Sequence, residues 1–245
     1  VLLAWNTPEI GRQLEHRDPG AMDRIFVWQG DGRVVPGIIR LVEDERNAAH
    51  DAAVCRVQNL LLVEDSVFFY SRYALEAVDL VESLMDGILS AEGLSPAQRS
   101  LRARARPKVL LATTYEEALE LADRFSGNLL GLVTDQSFPA GGAADRTAGL
   151  RLIEELRLRH PGLPVLLQTS EPDPASGAAA GVEVLSKDSP TLIRELRRHL
   201  LERFGFGPMA FGGDDGSPAT TIDNVDALHI AVEKLPAGIV ASSAA

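Results

Sequence analysis

Short apolar runs and longer amphipathic stretches take turns along most of this chain, and between residues 58 and 206 the pair recurs five times. The runs Leu60–Asp65, Lys108–Ala112, Leu129–Thr134, Val165–Gln168 and Val182–Ser186 suit strands buried on both faces of a parallel sheet. Phe69, Tyr73, Leu80, Leu84 and Ile88 mark one side of a long helix that Ser66 opens and Gly93 ends. Ser95-Pro96 opens a short second helix, and Thr114 with Glu117 forms a Thr-x-x-Glu capping box for a third, running to about Phe125. A helix is expected over Ala148–Arg159. Another, over 174–180, is weakened by Pro172, Pro174 and Gly177. Ser189-Pro190 starts the last of the series, with Leu192, Leu196, Leu200 and Phe204 on one side. The connections are long enough for right-handed crossovers. The expected fold class is therefore α/β, a doubly wound five-stranded parallel sheet.

The flanks carry less of this pattern. Residues 1–57 read as strand (Val1–Ala4), helix (Thr7–Leu14), strand (Arg24–Trp28) and helix (Val34 to about His50), with Val35, Ile38, Ile39 and Val42 in helical spacing. Two strands bury no core alone, so this piece needs partners from elsewhere. Residues 207–245 read as a strand at Met209–Phe211, a Gly-Asp-Asp-Gly turn, a strand at Thr220–Ile222, a helix capped by Asp223 and a disordered Ser/Ala tail. The expected segments are thus 1–57, 58–206 and 207–245. Leu-Val-Glu-Asp occurs at both 41–44 and 62–65. The helical period assigns the first copy's acids to a solvated face, and only the second follows a strand.

Composition narrows the function. Asp and Glu outnumber Lys and Arg 35 to 24, for a net charge of −11, which argues against a general nucleic-acid partner. Arg99, Arg102, Arg104 and Arg106 form a basic cluster that reads as a solvated helix face. The single cysteine, Cys55, excludes a disulfide framework and multi-cysteine zinc patterns, and is expected to be a small buried side chain. No apolar run approaches the ~20 residues that span a bilayer, and there is no signal-peptide pattern. A cytoplasmic setting without membrane contact is expected. The chain opens at Val1 inside an apolar run, as a fragment of something longer would.

Chemistry gathers at the strand ends. The second strand-like run of LVED type closes on Glu64 and Asp65, Leu129–Thr134 on Asp135, Val165–Gln168 on Thr169 and Ser170, and Val182–Ser186 on Lys187. Open α/β sheets hold their ligands at this edge. Acids brought within ~4 Å repel by about 4 kcal/mol at an effective dielectric near 20, so a cluster of them calls for a cation. Oxygen-only ligands favour Mg²⁺. Asp135, the single acid at a strand tip, is the candidate nucleophile toward a phosphoryl donor. Thr169 is placed to donate a hydrogen bond to the transferred group and Lys187 to neutralise it.

On the acid pair Glu64-Asp65, the motif Asp135-Gln-Ser-Phe-Pro139, Thr169 and Lys187, residues 58–206 resemble the chemotaxis-type receiver domain of two-component response regulators. The resemblance implies that Asp65, Asp135 and the backbone carbonyl of Ser137 ligate Mg²⁺, with Glu64 acting through water. It implies a regulatory module rather than a turnover enzyme, one that takes a phosphoryl group on Asp135 and relays a conformational signal. The implied partners are a sensor histidine kinase or small phosphodonor and a downstream domain or protein, in cis or in trans, with a homodimer also allowed. Two positions depart from the pattern: Asp188 replaces the proline after the lysine, and Val184 replaces the aromatic switch residue. They leave open a non-phosphorylated pseudo-receiver that serves as a docking or dimerisation scaffold. A phosphate-ester hydrolase is disfavoured, because the second acid expected two residues after the nucleophile is Ser137.

Residues 1–57 resemble the second half of another receiver, with Val1–Thr7 parallel to Val165–Glu171 and Ile25–Asp31 parallel to Val182–Asp188. Trp5 and Gly30 stand where Thr169 and Lys187 stand, so this copy has lost its phosphate-handling groups. With ARPKVLLATTYEEALEL at 105–121 and ERFGFG at 202–207, the chain also resembles the regulatory N-terminal region of phosphoenolpyruvate-synthase-like proteins. His16, His50, His160, His199 and His229 are scattered, so the resemblance implies the control module and not the phosphohistidine machinery.

Overall fold

The computed structural model describes residues 1–5, 24–89, 96, 106–170, 181–204, 209–212 and 218–222. Its elements are β1 (Leu2–Trp5), β2 (Ile25–Trp28), α1 (Val34–Cys55), β3 (Asn59–Val63), α2 (Val67–Leu89), β4 (Lys108–Ala112), α3 (Tyr115–Arg124) and β5 (Leu129–Asp135). There follow β6 (Phe138–Ala140), β7 (Ala143–Asp145), α4 (Ala148–Arg159), β8 (Val165–Thr169), β9 (Glu183–Ser186), α5 (Leu192–Arg203), β10 (Met209–Gly212) and β11 (Pro218–Ile222). The helices expected over Thr7–Leu14, after Ser95-Pro96, over 174–180 and after Asp223 lie outside the described residues. So do Gly93, Arg99, Arg102, Arg104 and the Ser/Ala tail.

The five apolar runs pair in parallel as one sheet of order β4-β3-β5-β8-β9. In chain order that is second, first, third, fourth, fifth: the flavodoxin-like arrangement, which reverses direction between its first and third strands. Every residue of β3, β4 and β8 is buried, as a strand covered on both faces requires. On one face Leu61, Val63, Leu110, Leu132 and Leu167 meet Ala118 and Ala122 of α3 and Leu152, Ile153 and Leu156 of α4. The box before α3 forms as expected: Thr114 Oγ1 accepts from the Glu117 amide at 3.2 Å, while Glu117 accepts from the Thr113 amide at 2.7 Å. Leu192, Leu196, Leu200 and Phe204 are buried.

The chain divides into two compact units, Val1–Glu195 and Leu196–Ala245. In the second, β10 and β11 pair antiparallel. In the first, β1 and β2 pair in parallel, Leu2 opposite Ile25. The partners this piece needs are on α2 and β4. Phe26 meets Tyr70 edge to face at 5.6 Å, the Tyr70 hydroxyl donates to the Ile25 carbonyl, and the Val27 amide donates to Ser71 Oγ at 3.0 Å. Arg40 of α1 pairs with Glu82 of α2 at 2.6 Å, and Arg24 donates to the Leu111 carbonyl at 2.7 Å. Helix α2 is therefore buried on more than one stripe, at Tyr70, Tyr73, Ala74, Leu75, Ala77, Val78 and Val81.

Three local expectations change. Asp44, read as a solvated acid, is 0% exposed: Arg106 grips both its oxygens, the Val109 amide donates to it at 2.9 Å, and Lys108 Nζ stands 4.0 Å away. Arg106 is correspondingly buried at 8% exposure and is no part of a solvated helix face. The Gly/Ala-rich segment 140–144, read as a loop, is the tip of the β6–β7 hairpin, with Gly141 and Gly142 at φ of 62° and 80° supplying the two-residue turn. Cys55 is half-buried rather than buried.

Candidate functional site

The acids and the amine converge where the sheet order reverses. Strands β3 and β5 run in register up to Val63 opposite Thr134, which sets Glu64 beside Asp135 just past their carboxyl ends. Next to Asp135 on β8 is Gln168, and Thr169 pairs with Ser186 immediately before Lys187. A helix could not gather these residues; four parallel strand ends do.

Lys187 bridges the acids. Its ammonium is 2.7 Å from Glu64 Oε2 and 2.8 Å from Asp135 Oδ2, with the side chain only 4% exposed. Glu64 is 0% exposed, and its other oxygen accepts from the Ser66 amide at 3.1 Å. Asp135 Oδ1 accepts from the Gln136 amide at 2.7 Å. Asp65 is exposed, and Glu64, Asp65 and Asp135 each offer an oxygen within 4.8 Å of the others. Burial pushes the Glu64 carboxyl up to about 8, with the Lys187 charge opposing and the Asp135 charge adding to the rise. Loss of hydration and the nearby Asp135 charge raise Asp65 too. Three carboxylates against one ammonium leave an excess of negative charge that protons hold in check. A hard divalent cation on oxygen ligands would do the same, so the donor set fits Mg²⁺.

Beside Asp135 opens a pocket of about 210 Å³, lined by Gln136, Ser137, Arg146, Thr169 and Ser170. Thus Thr169 and Ser137 line the pocket with Asp135, while Glu64, Asp65 and Lys187 stand close to Asp135 without lining it. The backbone behind Asp135 is tightly packed at Gly149, in the first turn of α4. A Cβ there would lie 2.1 Å from the Asp135 carbonyl oxygen, so only glycine lets that helix approach the strand end.

Several residues around the site escape sequence reasoning. Arg146, between the hairpin and α4, brings an exposed guanidinium to the pocket rim and has no hydrogen bond or ion pair with the described residues. Its signal was only its place eleven residues after Asp135, which no periodicity marks. Phe69 lays its ring under the Lys187 ammonium, 4.6 Å from the ring centroid, and stacks on Tyr73 at 5.7 Å. The Tyr73 hydroxyl is buried without a hydrogen-bond partner among the described residues, and burial with the charges of Glu64 and Asp135 holds it above the usual phenol range. Gln168 is equally enclosed, with neither amide atom partnered among the described residues. Val184 is half-buried on β9, and Asp188 is exposed.

No family model and no curated protein matches the sequence. Solved structures similar to it include receiver domains. One is a receiver domain protein from Clostridium thermocellum, 16% identical, with 59% of this chain covering 91% of that one at a TM-score of 0.35. Another is the non-phosphorylated HemR receiver domain of Leptospira biflexa, 21% identical, with coverage of 58% and 90% and a TM-score of 0.34. A third is the receiver domain of the hybrid histidine kinase CckA, 24% identical, with coverage of 58% and 98% and a TM-score of 0.32. None of these three is a phosphoenolpyruvate-synthase-like protein. No described helix is long and apolar enough to cross a membrane.

Proposed function

We propose that residues 58–206 are a phosphoacceptor receiver in which Asp135 takes the phosphoryl group. The observation that carries this reading is the Lys187 ammonium held between Glu64 and Asp135, with Asp65 alongside, at the ends of adjacent parallel strands. An Asp135 oxygen attacks phosphorus in line; an O–P bond forms, and the donor's P–N or P–O bond breaks, its atom leaving with the electron pair and gaining a proton. Lys187 and the Thr169 hydroxyl then face the new oxygens, as a point charge and a hydrogen-bond donor. Glu64, Asp65, Asp135 and the Ser137 carbonyl are the groups that would hold Mg²⁺, which supplies charge neutralisation when bound. The donor is a sensor histidine kinase or a small phosphodonor, and the product is a signal rather than a turned-over substrate. A regulated domain in cis, phosphoenolpyruvate-synthase-like, is the output this reading extends to.

The test is intact-mass analysis after phosphoramidate with MgCl2. The wild type gains one phosphoryl group and Asp135→Asn gains none; an unlabelled wild type refutes the reading. The departures at Val184 and Asp188 favour a second reading, an unphosphorylated scaffold. Under it, beryllofluoride and Mg²⁺ leave the oligomeric state unchanged by light scattering.

A further inference from the structure

We infer that Phe69 is a positioning residue for Lys187, a role that rests on the phosphoacceptor reading above. A lysine ammonium has three donors on a flexible four-carbon stem. Here two directions are taken by Glu64 at 2.7 Å and Asp135 at 2.8 Å. The Phe69 ring lies 4.6 Å from the same nitrogen, and the face of an aromatic ring is its negative side.

The ring is itself held. Phe69 stacks on Tyr73 at an interplanar angle of 21°, and Tyr73 is buried. Phe68 meets its edge at 5.4 Å and 85°. The spacing follows from the sequence: Phe69 and Tyr73 stand four residues apart on α2, on one side of the helix that begins beside Asp65.

This contact differs in kind from the two ion pairs. When a phosphoryl group arrives on Asp135, the ammonium must turn a donor away from a carboxylate toward the new oxygens. An ion pair is broken by that exchange, whereas the ring still attracts the cation whichever oxygens it meets. Phe69 therefore keeps Lys187 over the site during the exchange and limits its swing toward solvent. Residue 184 on β9 is valine, so the ring that meets the Lys187 ammonium comes from α2.

The experiment compares wild type, Phe69→Leu and Phe69→Tyr. Labelling of Asp135 by phosphoramidate with MgCl2 is followed by intact mass over a range of donor concentrations. NMR follows the Lys187 ε-methylene protons, which a ring face shifts upfield. We expect Phe69→Leu to lower the maximal labelling rate on the order of tenfold, the cost of an ammonium that spends much of its time swung away from the reacting oxygens, without changing the half-saturating donor concentration. Phe69→Tyr, which keeps the π face, restores the rate. The upfield shift is present in wild type and Phe69→Tyr and absent in Phe69→Leu. Labelling of Phe69→Leu at the wild-type rate overturns the inference while leaving the receiver reading intact. A wild type that is not labelled removes both. If Phe69→Leu does not fold, the wild-type spectrum alone decides: Lys187 protons at ordinary positions overturn the inference.

Discussion

Replacing Asp44 by alanine tests the reasoning about burial most directly. Asp44 is 0% exposed, and its removal strands Arg106, itself 8% exposed, without an anion. Lys108 keeps Asp51 at 2.8 Å, so Arg106 carries the main loss, together with the Val109 amide that Asp44 accepts from at 2.9 Å. Breaking a buried pair from one side costs about 3–5 kcal/mol, because the remaining charge is left without water or partner. At roughly 2–4 °C per kcal/mol for a chain of this size, a loss near 4 kcal/mol lowers the thermal midpoint by roughly 8–16 °C. The intact pair is nevertheless worth little. Burial holds the Asp44 carboxyl above the ordinary range even with Arg106 and Lys108 pulling it down. Asp44→Leu combined with Arg106→Met should therefore recover more than half of the single-variant loss, the residue being the unpaired Val109 amide at about 1–3 kcal/mol. Urea unfolding followed by circular dichroism measures both. A single-variant loss under about 1 kcal/mol, or a double variant no better than the single, refutes the account of this pair as buried and water-free.

The acid cluster makes stability depend on pH and on Mg²⁺. Glu64 is pushed up to about 8 from an ordinary 4.5, so the folded protein keeps a proton that the unfolded chain releases, and this group's contribution is lost as pH rises across that window. Because Mg²⁺ needs the carboxylate, the rise in thermal midpoint on adding MgCl2 should be larger near about pH 9 than near about pH 6; an equal rise at both removes Glu64 from the metal site. Gly149→Ala brings a Cβ to 2.1 Å from the Asp135 carbonyl, backbone against side chain with no flexible atom to yield. It should cost about 1–3 kcal/mol and slow Asp135 labelling, and an unchanged midpoint in a thermal scan would contradict the close approach.

The sheet was legible because each of its strands is short, apolar and closed by a turn, and a strand end needs only one residue to place a functional group. Asp135 and Lys187 are read in this way, and the structure sets them 2.8 Å apart. Asp44 was misread because helical spacing tells which residues share a side but not what covers that side. Its cover is Arg106 and Lys108, reached only when β4 lies against α1. Arg106 was misread for the same reason from the other end. The Gly-Gly pair at 141–142 carried the signal of a two-residue hairpin turn, but strands of three residues are too short for alternation to show. Phe69 kept its helical spacing in the sequence, and what the letters could not say is that an ammonium from β9 comes to rest against its ring.

Helix α2 works as a party wall, with occupants on both sides. Tyr70 and Ser71 hold β2, while Arg40 of α1 and Arg33 just before it reach across to Glu82 and Glu76. Trimming the chain before residue 58 would bare Tyr70, Leu75 and the edge of β4 together, turning a shared partition into an outer face that water does not suit. Such a shortened protein would cling to its own copies, and whoever wants the acid site in isolation will have to keep the first two strands or repaint that wall with polar side chains.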